Sequence, residues 1–272
     1  MVRTYVINIR RFEKEEIFRA ALLSVSPYRQ EKIALLKTER EKRRSLGAAF
    51  ALNAALAYHG LCERDMEYVL GEQGKPMLQA YPGLHFSLSH AGDYAICSMG
   101  ELENGCDVER VRPDKMRVAE RFFAEEEKAW IYQAGETAER DRRLFRLWTM
   151  KESFLKVTGR GMALPLRDFT VLIGENGIHG VRHSINSKCY YMKEYNLPDF
   201  FRETAEYRIS VCHEASEQRM DICHEIPEQR IICHEASEQR TDFGHSVSEY
   251  DAAGYRNHNI PEFAPELEIV LP

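Results

Sequence analysis

The chain has 272 residues, of which 44% are hydrophobic and 29% charged, with a formal net charge of −6. That length buries a sizeable core in one large domain or two modest ones, and the negative balance excludes any general pull towards nucleic acid or a membrane surface. No apolar run approaches the roughly 20 residues of a membrane helix, and seven cysteines, an odd number with no signal peptide, argue against a disulfide framework and for a cytoplasmic protein.

The first residues, Val2 to Ile9, alternate like a strand. A helix is expected over Glu13 to Ser24. Ser26-Pro27 reads as an N-cap followed by proline at the first helical position, opening a basic helix towards Lys37. A longer helix follows over Glu39 to His59, with a stripe of small residues suited to close packing and Gly60 as its stop. Strands are expected near Glu67–Leu70, His85–Leu88 and Tyr94–Met99, with Ser89-His90-Ala91-Gly92-Asp93 as the loop between the last two. The second half opens on another strand, Gly105 to Glu109. Helices at Val118–Phe123 and Glu125–Gln133 come next, then a polar link from Gly135 to Arg143. A helix through Phe145–Thr158 carries Leu147, Met150, Phe154 and Val157 on one face and Trp148, Glu152 and Lys156 on another, and Gly159 ends it. Strands near Phe169–Ile173, Gly180–His183, Cys189–Tyr195 and Tyr207–Cys212 complete the pattern. Both halves run from strand through helices to strands, so the expected class is α/β (α+β), with two similar lobes over 1–104 and 105–212 and Trp148 packed between them, holding Glu152 in place.

The tail differs. Cys-His-Glu begins three related segments, at Cys212, Cys223 and Cys233. Too little of this sequence is apolar to bury a core, so 213–260 reads as a mobile polar insertion; thiolate and imidazole also suit zinc, although adjacent Cys and His are not the usual ligand spacing. Residues 261–272 contain a possible terminal strand near Leu267–Leu271.

Chemistry concentrates in a few places. On a strand Asp107 and Glu109 share one face, where they are either two solvated acids or a site for Mg²⁺, which takes carboxylate oxygens and leaves positions for phosphate and water. Glu152 supplies a third carboxylate if its helix crosses that strand, and Lys156, one turn on, meets the phosphate that the metal binds; the plain alternative is a surface ion pair. Ser89 and His90 offer donors to phosphate oxygens. Lys75 is a cation held between Gly74 and Pro76, and Arg29, Lys32, Arg43 and Arg44 belong to a basic cluster that is either a solvated helix face or a phosphate site.

Gly74-Lys75-Pro76, Phe86-Ser87-Leu88-Ser89-His90, Gly105-Cys106-Asp107-Val108-Glu109, Arg121-Phe122-Phe123 with Glu127, and Trp148-Thr149-Met150-Lys151-Glu152-Ser153-Phe154-Leu155-Lys156 occur in that order. Together they resemble the Sfp-type 4'-phosphopantetheinyl transferases of the holo-carrier-protein synthase superfamily, over roughly residues 1–212. The resemblance implies a monomer of two pseudo-symmetric lobes with coenzyme A in the cleft between them. It implies that Asp107, Glu109 and Glu152 hold Mg²⁺, and that Lys156, Ser89 and His90 contact phosphates. Arg29, Lys32 and Arg44 grip the 3'-phosphate, with Arg43 the alternative to Arg44, and Lys75 lies beside the nucleotide. Glu152 is the candidate base, and Glu127 matches a family acid that aids the metal-bound water or the base. The implied partner is an apo acyl or peptidyl carrier protein of fatty-acid, polyketide or peptide synthesis. Ser87 stands where the family often has asparagine and Ala91 where it has serine. A silent binding module and a metal-binding tail are the rival readings from other classes.

Overall fold

The computed structural model describes residues 2–71, 73–174, 177–197, 205–215 and 269–271. The Cys-His-Glu repeats beyond Ala215 therefore lie outside the described residues. In chain order the elements are β1 (Arg3–Asn8), α1 (Glu15–Leu22), α2 (Pro27–Ala34), α3 (Glu39–Ala57), β2 (Tyr68–Leu70), β3 (Pro76–Leu78), β4 (His85–Ala91), β5 (Tyr94–Gly100) and β6 (Asn104–Arg110). Then follow α4 (Met116–Phe122), α5 (Glu125–Tyr132), α6 (Thr137–Thr158), β7 (Thr170–Gly174), β8 (Gly177–Arg182), β9 (Tyr190–Asn196), β10 (Tyr207–Glu214) and β11 (Ile269–Leu271).

The two lobes repeat one topology. In the first sheet the order is β11-β1-β5-β4 and in the second β6-β10-β9, so in each lobe the first strand pairs antiparallel with the last, and the last with the one before it. In each, a long helix covers the outer face. Ala95, Cys97 and Met99 of β5 join Leu46, Ala49 and Leu52 of α3 in one core, while Cys212 of β10 joins Leu147, Met150 and Phe154 of α6 in another. The alternate residues turn inward. Val6, Tyr94, Ile96, Cys106, Val108, Tyr207, Ile209 and Val211 form a third core shared by the lobes, as the period of two along a strand requires.

Local chemistry sets the element ends. Thr38 caps α3, with the Glu41 side chain returning to the Thr38 N–H in a reciprocal capping box, and Ser26 caps α2 as the sequence suggests. Gly159 ends α6 in the left-handed region, at φ 66°. That helix is longer than expected: it begins at Thr137, inside the stretch read as a polar link. Its exposed first turns carry Arg142 and Arg143 paired with Glu139 three and four residues away, which makes a polar sequence helical without an apolar face. The loop expected at Ser89–Asp93 is shorter than expected, because β4 continues to Ala91 and the reversal is confined to Gly92 (φ 54°) and Asp93. β10 likewise continues through His213 and Glu214, paired with β9. At the far edge β11 pairs with β1, Val6 opposite Ile269. Among the described residues no helix is long and apolar enough to cross a membrane.

Candidate active site at the seam between the lobes

β4 and β6 run beside one another without a shared ladder, and two serines bridge the gap. The Ser87 hydroxyl accepts from the Cys106 N–H at 3.1 Å, and the Ser89 hydroxyl accepts from the Val108 N–H at 3.4 Å. Because β4 is extended through Ala91, Ser87 and Ser89 both face this seam and are buried, whereas His90 points the other way and is exposed. The Ser89 proton goes to Asp107 Oδ1, at 2.7 Å. Ser89 is thus committed to an aspartate, where sequence alone assigned it to phosphate.

Helix α6 approaches β6 from the opposite side at a distance only glycine allows. A Cβ on Gly105 would stand 2.1 Å from the Ser153 carbonyl oxygen and 2.5 Å from the Val157 nitrogen. This contact brings Lys156 over the strand, where Nζ donates to Asp107 Oδ1 at 2.8 Å and to the Cys106 carbonyl at 2.9 Å. One oxygen of Asp107 therefore receives two donors. The other, Oδ2, is buried with no hydrogen-bond partner.

Glu109 and Glu152 lie near enough to Asp107 for its charge to act on both. Burial and the Asp107 charge push the Glu109 carboxyl up to about 7, against the pull of Arg112, which is 3.3 Å away. Burial, followed by Asp107, raises Glu152, with Lys156 opposing. Burial is the largest single influence on Lys156 and works against its charge, but Asp107, Cys106 and Glu152 together outweigh it and the pKa is raised. Among the described residues no three His, Cys, Asp or Glu side chains are grouped so that they could hold a metal ion. An unpaired buried carboxylate oxygen and two acids whose charge their neighbours disfavour nevertheless fit a hard divalent cation, which would satisfy the one and neutralise the others.

The cations fall into separate groups. Desolvation, then the Arg44 and Lys156 charges, lower the pKa of His90 despite its exposure. Arg44 donates to the Gly92 carbonyl at 3.0 Å, and Arg10 and Arg40 bind Asp93 on the same turn. Arg43 turns away, towards the Glu39 carbonyl and Glu13. Lys32 is exposed on α2, its pKa lowered by burial of its stem and then by Arg29. Arg29 itself is buried, with Nε 4.0 Å from Glu63 Oε1; the expectation that it grips a phosphate meets a side chain folded into the first lobe. Lys75 reaches back to Glu103 (3.0 Å) and the Asn104 carbonyl (3.2 Å) at the start of β6.

Two expectations are corrected. Glu127 does not join the acids of the seam. Its Oε1 binds the fully buried Lys151 at 2.8 Å and accepts from the Val171 N–H, and its Oε2 accepts from the Ala124 N–H that opens α5. These three contacts hold α5, α6 and β7 together. Trp148, expected between the lobes, stacks on Phe123 inside the second lobe, with 6.3 Å between ring centroids. Sequence reasoning also missed the Tyr207 hydroxyl, which accepts from the Asp93 N–H at 3.1 Å and ties the two lobes together beside Gly92; only the glycine hinted at it.

Comparison with known proteins finds similarity to one enzyme superfamily. The family model of the 4'-phosphopantetheinyl transferase superfamily matches residues 103–212, which run from just before β6 almost to the end of β10. A 4'-phosphopantetheinyl transferase of Bacillus subtilis is 29% identical over 70% of this chain and 83% of its own. The transferase Sfp of Bacillus subtilis (strain 168) is 27% identical over 78% of this chain and 92% of its own. The chain is thus similar to 4'-phosphopantetheinyl transferases over most of its length. Among solved structures, the chain has 18% identity and a TM-score of 0.35 with a holo-(acyl-carrier-protein) synthase from Bacillus anthracis str. Ames in complex with CoA (3',5'-ADP), over 42% of this chain and 97% of that one.

Proposed function

We propose that the chain transfers the 4'-phosphopantetheine group from coenzyme A to a serine of an apo acyl or peptidyl carrier protein, releasing adenosine 3',5'-bisphosphate. What supports this reading is the Lys156 ammonium on Asp107, with Glu109 and Glu152 close enough for their charges to interact with it. Such a set suits phosphoryl chemistry, in which positioning and charge neutralisation carry most of the acceleration.

Asp107, Glu109 and Glu152 would hold Mg²⁺, which supplies neutralisation of the pyrophosphate of coenzyme A. Lys156, kept protonated by Asp107, places an ammonium against the same phosphates. Glu152, whose raised pKa brings it closer to a base matched to neutral pH, takes the proton of the attacking serine. The serine oxygen forms its bond to the β-phosphorus, and the bond from that phosphorus to the bridging oxygen breaks towards the bisphosphate. His90, whose pKa is lowered by desolvation first and by Arg44 and Lys156 after it, donates a hydrogen bond to phosphate, Arg44 and Lys32 bind the 3'-phosphate, and Lys75 flanks the nucleotide. Each lobe, 1–104 and 105–212, supplies part of the set, so a monomer is sufficient. Cys62, Cys97, Cys106, Cys189 and Cys212 are free thiols, which suits a reducing cytoplasm.

Incubation with an apo-carrier, coenzyme A and Mg²⁺, followed by intact-mass measurement, tests the reading. A carrier heavier by one phosphopantetheine group is expected; an unchanged carrier across a panel of apo-carriers would sink it.

A further inference from the structure

Nothing in the transfer chemistry requires Ser89 to face the seam, yet its hydroxyl is buried and spoken for on both sides. It accepts from the Val108 N–H and gives its proton to Asp107 Oδ1. Lys156 donates to that same oxygen at 2.8 Å. Two donors from different lobes, a serine of β4 and a lysine of α6, converge on one carboxylate oxygen, and the other is left buried and bare. A carboxylate held by one oxygen has a fixed plane, so the direction of its second oxygen is set before any ligand arrives.

We propose that Ser89 is a positioning residue that orients Asp107 Oδ2 for a divalent cation, so that the first lobe, which contributes no carboxylate to the site, controls the metal affinity of the second. This rests on the function proposed above in taking Asp107 as a metal ligand. Partners that orient a ligating carboxylate typically carry 10- to 100-fold in metal affinity. The serine is also fixed to the strand it serves, through the Val108 N–H.

The test is calorimetric titration of the wild-type chain, Ser89→Ala and Ser89→Cys with Mg²⁺ and separately with Mn²⁺, without coenzyme A or carrier, with circular dichroism on the same samples. About a tenfold or greater weakening of cation binding is expected in Ser89→Ala, with a smaller one in Ser89→Cys, which keeps a weak donor of similar size. Unchanged cation affinity in either folded variant overturns the proposal; so does unchanged cation affinity with a raised KM for coenzyme A, which would make Ser89 a phosphate donor. A wild-type chain that transfers phosphopantetheine but gives this result retires the serine's role alone. A chain that binds cation yet modifies no carrier retires the proposed function instead.

Discussion

Replacing Gly105 by alanine probes the contact on which the whole site depends. The added Cβ would stand 2.1 Å from the Ser153 oxygen and 2.5 Å from the Val157 nitrogen, the two ends of one turn of α6. Neither atom can swing aside, since both are helix backbone. An ordinary contact begins near 3.4 Å, so strand and helix must part by about 1.3 Å. Overpacking of this kind costs about 3 kcal/mol or somewhat more, which lowers the melting temperature of a chain of this size by roughly 6–12 °C. The same displacement separates Asp107 and Glu109 on β6 from Glu152 and Lys156 on α6, and a misplacement of about 1 Å in a reacting group costs on the order of 100-fold in rate. Differential scanning fluorimetry and initial rates of carrier modification, measured below the melting range, read the two effects. An alanine variant with wild-type melting and wild-type rate would refute the close approach of β6 and α6.

Three further outcomes follow from the same contacts. Lys151→Met, which strands the buried Glu127 charge, should lower the unfolding free energy in urea by about 3–5 kcal/mol; a loss below about 1 kcal/mol would show that the pair is not buried as described. Tyr207→Phe removes the acceptor for the Asp93 N–H and should cost about 1–3 kcal/mol by the same assay, with no cost if the lobes are not latched there. The third concerns pH. In the folded chain the Glu109 carboxyl is pushed up to about 7, above the ordinary glutamate value of 4.5, so between these values the folded chain binds more protons than the unfolded one, and stability falls as pH rises. In chelator, the wild-type melting temperature should therefore drop relative to Glu109→Gln between pH 4.5 and 7, and Mg²⁺ at pH 7 should restore it; parallel pH profiles for the two proteins would contradict this.

Much of this was readable from residue order. The apolar face of α6, its stop at Gly159, the strand carrying Asp107 and Glu109, and the repeated strand–helix–strand pattern follow from periodicity and caps, which are local. What escaped was decided by partners distant in sequence. The turns from Thr137 look like a loop because the i,i+3 and i,i+4 pairs that support them carry no apolar signal. Ser89 and His90 resemble loop residues until β5 pairs with them through Ala91, and then the alternation of the strand sends one to Asp107 and leaves the other exposed. Glu127 carries the residue type and motif of a catalytic acid, and nothing nearby reveals that Lys151, on another helix, consumes its charge. Arg29, likewise, lies buried in the first lobe 4.0 Å from Glu63. In each case the sequence showed a capable group, and the fold chose its partner.

Release of adenosine 3',5'-bisphosphate from coenzyme A in the presence of apo-carrier and Mg²⁺, compared between the wild-type chain and Asp107→Ala, Glu109→Ala and Glu152→Ala, tests the central claim most directly. The account predicts stoichiometric release by the wild type and almost none from any of the three, each still folded by circular dichroism. Wild-type release from all three would mean that the acids at the seam do not perform the chemistry.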